Sequence, residues 1–184
     1  MRKLSLLAFV VFAACGDDPV NYSDDIGIEV KTKSGDATDN AITEEKGITT
    51  ESSNPYGAFI TEAKNRLGHD PSNIKLEKVT VTLGGQTTGV TTLDQVMVGD
   101  AYVKFLMNDT NNTFQVGHFV NPTGPGPFEG EPTFDMAADV SDADIAKVIG
   151  GSFKVVLNAT PATDFATKGA EASLQLTFTF SAFE

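Results

Sequence analysis

Ala172-Ser-Leu-Gln-Leu-Thr-Phe-Thr-Phe-Ser-Ala-Phe183 alternates apolar and polar residues almost without a break. Leu174, Leu176, Phe178 and Phe180 fall on one side, and Ser173, Gln175, Thr177 and Thr179 on the other. Successive side chains of an extended chain point to opposite faces, so this pattern predicts a half-buried antiparallel strand, dry on one side and wet on the other.

The same period of two runs back through the chain as far as Asn73. Ile74, Leu76, Val79, Val81 and Leu83 predict a strand over Ile74–Leu83, with a phase break near Glu77–Lys78 that reads as a bulge. Gly84-Gly85 marks a tight turn into a further strand, Gln86–Thr92. Leu93–Val98, Ala101–Asn108, Thr113–Val120, Thr133–Met136 and Gly151–Asn158 are expected strands as well. Tyr102-Val-Lys-Phe-Leu-Met107 carries apolar groups on both faces, which predicts a central position. Asn121–Pro132, rich in Pro and Gly, is expected to be a long loop, because prolines cannot donate to a ladder.

Two segments have helical spacing instead. Asn54 can cap and Pro55 suits the first helical position. Tyr56, Phe59, Ile60, Ala63 and Leu67 form one apolar stripe, and Gly68 is a left-handed stop. Glu62 and Arg66 stand four apart in the favourable order. Ser141 opens a second helix over Asp142–Ile149, with Asp144 placed for a capping-box-like start. Seven or eight short strands with two helices at crossings predict a mainly β fold, a two-layer antiparallel β-sandwich of immunoglobulin-like or jelly-roll kind over residues 54–184. With no tryptophan and one cysteine, "immunoglobulin-like" refers to architecture alone.

Gly16 to Ser53 is acidic and polar, with no aromatic residue after Tyr22. Such a composition buries too little surface to offset its ordering entropy, so residues 15–53 are expected to form a flexible tether reaching roughly 35 Å. Within it, Ile26-Gly-Ile-Glu-Val30-Lys alternates well enough to add a short edge strand.

Residues 1–14 have the order of a secretory signal: Arg2 and Lys3, then an apolar run from Leu4 to Ala14 that is short for a bilayer span. Cys15 follows directly, behind Phe12-Ala13-Ala14. This arrangement resembles the lipobox of bacterial lipoproteins, with Phe12 departing from the usual Leu or Val. The resemblance implies cleavage before Cys15, acylation of that residue, and membrane anchoring through its chains. Gly16 behind the cysteine leans towards the outer membrane by resemblance to lipoprotein sorting rules. Loss of Arg2 and Lys3 takes the formal charge from −12 to −14. So acidic a surface repels nucleic acid and anionic head groups. With Cys15 modified, disulfides, thiol catalysis and thiolate-bound metal are excluded.

Catalytic groups are sparse. His69 lies in a loop beside Asp70 and Pro71, without a Gly-x-Ser-x-Gly elbow. His118 lies in a strand, in phase with Phe114, Val116 and Val120, and reads as a hydrogen-bonded strand residue rather than a base. Two histidines this far apart also lack the spacing of zinc motifs. Asp109-Thr-Asn111 and Asp142-Ala-Asp144 resemble the start of a calcium loop. Their glycine positions hold Phe114 and Lys147, and their glutamate positions hold Val120 and Phe153, so neither fits an EF-hand. An irregular calcium site in the acidic loops stays open, since hard cations need only converging oxygens. Glu129 or Glu131 with Asp135 could form a carboxylate pair, but spacing within one loop does not fix a separation across a cleft.

The expectation is therefore a non-catalytic envelope lipoprotein that needs no cofactor or metal and displays its domain for binding, adhesion or scaffolding. Its partners are the membrane and an envelope protein or a glycan. Recognition is expected at Asn121, Phe128, Glu129 and Glu131, because loops on a rigid scaffold commonly carry it. The alternative is a carbohydrate-binding or hydrolytic domain using acidic loop residues, calcium, and aromatics such as Tyr102, Phe128 or Phe183. The lack of tryptophan weighs against it.

Overall fold

A computed structural model describes residues 21–37, 40–51, 53–132, 140–167 and 169–184. Eight strands and two helices are found among them: β1 (Asn21–Lys33), β2 (Ile42–Ile48), α1 (Pro55–Leu67), β3 (Asn73–Leu83), β4 (Met97–Met107), β5 (Thr113–Phe119), β6 (Phe128–Pro132), α2 (Asp142–Ile149), β7 (Phe153–Pro161) and β8 (Glu171–Phe183). The strands form one antiparallel sheet in the order β1-β8-β3-β6-β5-β4-β7-β2. This sheet curls until its two outer strands, β1 and β2, approach each other without pairing, which makes it nearly closed and barrel-like.

The alternating stretch at the chain's end is β8, and it lies between β1 and β3. Leu174, Leu176, Phe178 and Phe180 are buried as expected. They meet groups from the opposite wall: the Phe105 ring of β4 lies 5.9 Å from Phe178 and 6.2 Å from Phe180, and 4.7 Å from Phe153 of β7. The bulge expected in β3 is present between Leu76 and Lys78. Strand β4 is interior, between β5 and β7.

Both expected helices form. Asn54 accepts the Tyr56 N–H, Pro55 occupies the first position, and Gly68 closes α1 at φ 80° with its N–H on the Lys64 carbonyl. In α2 the Ser141 hydroxyl accepts from the Asp144 N–H. The two helices meet at one end of the barrel. Tyr56 is fully buried, with its hydroxyl donating to the Val148 carbonyl at 2.8 Å. Its ring stands edge-on to Phe153 and Phe180, at 5.3 and 5.4 Å. The plug therefore joins α1, α2, β7 and β8 in one aromatic cluster.

Four expectations are corrected. The stretch read as a tether contains β1 and β2, so among the described residues the sheet starts at Asn21; the edge strand expected within Ile26–Lys31 is present as part of the longer β1. Its composition is polar on average, but Ile26, Ile28, Val30 and Thr32 all point inward while Asp25, Glu29, Lys31 and Lys33 point out. Alternation can bury enough apolar surface on one face even where the mean hydropathy is low. Gln86–Thr92 is not a strand; it crosses beside β8 with a single bridge, Thr88 to Glu171. Leu93-Asp-Gln forms a short 3-10 turn, and β4 begins at Met97. The last part of the Asn121–Pro132 loop is β6, whose Pro132 stands at the strand's end. The strand expected over Thr133–Met136 lies outside the described residues, as does Cys15.

Candidate functional site

The described surface is concave in at least two places. The first is the seam where the sheet does not close. A groove of about 470 Å³ lies between β1 and β2, walled by Gly27 and Glu29 on one side and Lys46 and Gly47 on the other, with Asn54 and Pro55 of the α1 start below. Its backbone walls follow from the ladder. Ser34 donates to the Ala170 carbonyl, and β1 pairs with β8 one for one from there, so even-numbered residues of β1 face β8. The N–H and C=O groups of odd-numbered residues, Gly27 and Glu29 among them, then point into the seam.

Lys46 and Ile48 of β2 line the groove. Ile42 and Ile48 are buried; of the two charges between them at the same phase, Glu44 is half-buried and Lys46 is exposed. Burial pushes the Glu44 carboxyl above the usual carboxylate range; the Thr32 hydroxyl pulls it back and Asp36 adds to the rise. Lys46 forms no ion pair among the described residues. Charges such as these on a border strand also discourage pairing with another chain. On the outer wall Glu29 accepts from Ser173 at 2.5 Å and lies 3.9 Å from Lys31.

The second place is the loop end, opposite the helices. Residues 121–127 are pinned rather than loose. Leu93 donates to the Gly124 carbonyl at 2.7 Å, Gly124 donates to the Asp94 carboxylate at 3.1 Å, and Leu83 donates to the Pro125 carbonyl at 2.9 Å. The Gly124 N–H is the main reason that Asp94 titrates below the usual range. Asn121 adopts φ 45° and, with Asp94, Val98 and Thr123, lines a shallow depression of about 150 Å³. Val98 and Val120 flank it, 44% and 47% exposed, and they are the large apolar side chains most open to solvent among the described residues.

The four sequence-predicted residues do not converge on one pocket. Asn121 lines the depression, but Phe128 is half-buried against the core. Glu129 points outward to Lys78 at 2.9 Å. Glu131 stands opposite His118 across the β5–β6 pair. Asp135 lies outside the described residues. The register shift between Val103 and Lys104 explains the displaced phase of β5: Val116, Gly117 and Phe119 are buried, while His118 and Val120 face out.

His118 Nε2 lies 3.0 Å from the Asp100 carboxylate, and its ring stacks on Tyr102 with centroids 4.8 Å apart and planes 4° from parallel. His69 lies elsewhere, at the helical end, with Nδ1 2.8 Å from the Asp70 carbonyl and Nε2 3.9 Å from Glu184. Neither histidine faces a hydroxyl nucleophile among the hydrogen bonds described. Asp144 is buried and saturated: it accepts from Asn112 at 2.8 Å, Ser141 at 2.9 Å and Thr110 at 3.3 Å, and these bonds, Asn112 first, hold its carboxyl below the usual range. It fastens the β4–β5 turn to α2. Among the described residues no three His, Cys, Asp or Glu side chains gather closely enough to hold a metal ion.

Sequence reasoning missed the seam because it treated the acidic stretch as a tether. The signal was present in Ile42-Thr-Glu-Glu-Lys-Gly-Ile48, where two inward apolar residues bracket two charges at the same phase. Comparison with protein-family models, with curated proteins and with solved structures returns no match.

Proposed function

We propose that this chain is a lipid-anchored protein of the bacterial envelope, sorted to the outer membrane by the sequence behind its cysteine, that displays a non-catalytic β-domain for binding, adhesion or scaffolding. The observation that carries the reading is the order Arg2-Lys3, apolar run, Ala13-Ala14, Cys15, with the cysteine the chain's only one. The binding surface assigned to it is the loop end, where a pinned loop supports the exposed Val98 and Val120. A preorganised loop loses little conformational freedom when a partner docks. In this reading the barrel-like sheet is flattened into two layers, β1-β8-β3 against β2-β7-β4-β5, with β6 as the bridge. The Phe105 contacts across the interior support that division.

The carbohydrate alternative draws less support. Tyr102 has one ring face on His118, and Phe128 packs against the core. Intact-mass measurement of protein purified from bacterial membranes tests the proposal. The expected product begins at Cys15 and carries acyl chains, and Cys15→Ser moves the protein to the soluble fraction. An unacylated chain, or a Cys15→Ser variant that stays with the membrane, rejects it.

A further inference from the structure

The described chain begins at the end of the sheet opposite the loop end, and this gives a domain anchored ahead of Asn21 a direction. The inference rests on acylation of Cys15. Asn21 pairs with Phe183, which also pairs with Asn73, so the start of β1, the end of β8 and the start of β3 meet at one place. The Ser72 N–H bonds the Phe183 carbonyl, which brings the turn after α1 to that place too. The helix-plugged end is therefore the end at which the described chain begins. At the other end lie the Ser34–Asp36 turn after β1, the 3-10 turn at Leu93–Gln95, and the loop at 121–127.

Two lengths decide the matter. Cys15 and Asn21 are six residues apart, a span of at most about 21 Å. From Asn21, the twelve steps of β1 to Lys33 cover about 40 Å along the strand, or about 30 Å along the axis of a barrel with ordinary strand tilt. The leash is shorter than the barrel is tall, so it cannot carry the loop end round to the lipid. The cations of this end are paired: Lys64 with Asp70 at 2.7 Å, Arg66 with Glu62 at 2.8 Å, Lys75 with Glu77 at 2.8 Å and Lys147 with Asp109 at 3.4 Å. Among the described residues the unpaired Lys46 beside the start of α1 is a single charge rather than a basic patch, so the domain is not drawn flat onto anionic head groups. We infer that the helical end, marked by Asn21, His69 and Glu184, faces the lipid surface within one leash length, and that the loop end bearing Val98, Asn121 and Val120 is presented away from it.

The absence of tryptophan makes this measurable. Single donors are placed by Glu184→Trp at the lipid end, and by Gly35→Trp and Thr123→Trp at the loop end. A Cβ at Gly35 meets nothing within 4 Å, and Glu184 and Thr123 are exposed, so folding is preserved. Each variant is processed in a bacterial host, purified from membranes and reconstituted in phosphatidylcholine vesicles containing dansyl-labelled lipid. In parallel, the chain from Cys15 onward is coupled through that thiol to maleimide lipid in the same vesicles. Energy transfer from residue 184 is expected to exceed that from residues 35 and 123 severalfold in both arms. Equal transfer from all three positions, or stronger transfer from 35 or 123, overturns the orientation. Absence of acyl mass in the first arm overturns the anchoring reading instead, and the second arm still reports the geometry.

Discussion

Replacing Tyr56 separates two contributions to the plug that joins α1 to the barrel. The side chain is wholly buried, with Phe59, Phe153 and Phe180 around its ring and its hydroxyl on the Val148 carbonyl. Tyr56→Phe keeps the ring and removes the donor. The carbonyl it leaves still accepts from the Gly151 N–H at 3.1 Å, so the loss is that of one ordinary hydrogen bond, about 1 kcal/mol. Tyr56→Ala removes the ring as well and leaves a cavity among three phenylalanines, which costs about 3–5 kcal/mol. In a domain of this size each kcal/mol moves Tm by about 2–4 °C, so the expected losses are about 3 °C for Phe and about 12 °C for Ala. Thermal and urea unfolding followed by circular dichroism read both. A Tyr56→Ala protein within about 1 kcal/mol of the parent would refute the plug, because a solvated helix tolerates that change.

Three further outcomes are expected. Asp144→Asn loses acceptor bonds from Asn112 or Ser141 and is expected to cost about 2 kcal/mol in urea unfolding. The folded carboxyl titrates below its unfolded value, so its contribution is complete above the ordinary carboxylate range and is lost as pH falls from that range through the lower folded value. The parent should therefore lose more stability on acidification than Asp144→Asn does, as unfolding curves across that interval will show. Glu44 has the opposite sign, since its folded value is raised. Glu44→Gln is expected to stabilise at neutral pH by a few tenths of a kcal/mol, being only half-buried, and the gain should vanish on acidification. Gly130→Ala pushes a Cβ to 2.7 Å from the Phe119 ring and 3.0 Å from the His118 carbonyl, and should cost about 1–3 kcal/mol in denaturant titrations by wedging β6 away from β5.

Local patterns announced the elements that depend on local physics. The caps of both helices, the bulge in β3 and the inward face of β8 follow from spacing and residue type at hand. The tether reading failed where composition was averaged over Gly16–Ser53, because four inward residues at alternate positions of β1 outweighed their acidic neighbours. Strand β6 was hidden by the prolines and glycines of the stretch it ends. It exists because Val79–Val81, far away in sequence, and Gly117–His118 of the preceding strand offer it partners on both sides. The loop-end depression was legible through Asn121 alone. Val98 belongs to another strand, and which residues adjoin across a sheet depends on strand order, which alternation does not encode. Likewise, His118 reversed its face because a register shift, invisible in β5 itself, lies in its pairing with β4.

Residue-resolved amide hydrogen exchange over Asn21–Lys33 tests most directly whether the acidic stretch is a strand bordering an open seam. Ile28 and Val30, which face β8, are expected to be protected, while Gly27 and Glu29, which face the seam, exchange quickly. Rapid exchange at all four positions would restore the flexible tether, and protection at all four would close the barrel; either result contradicts the structure described.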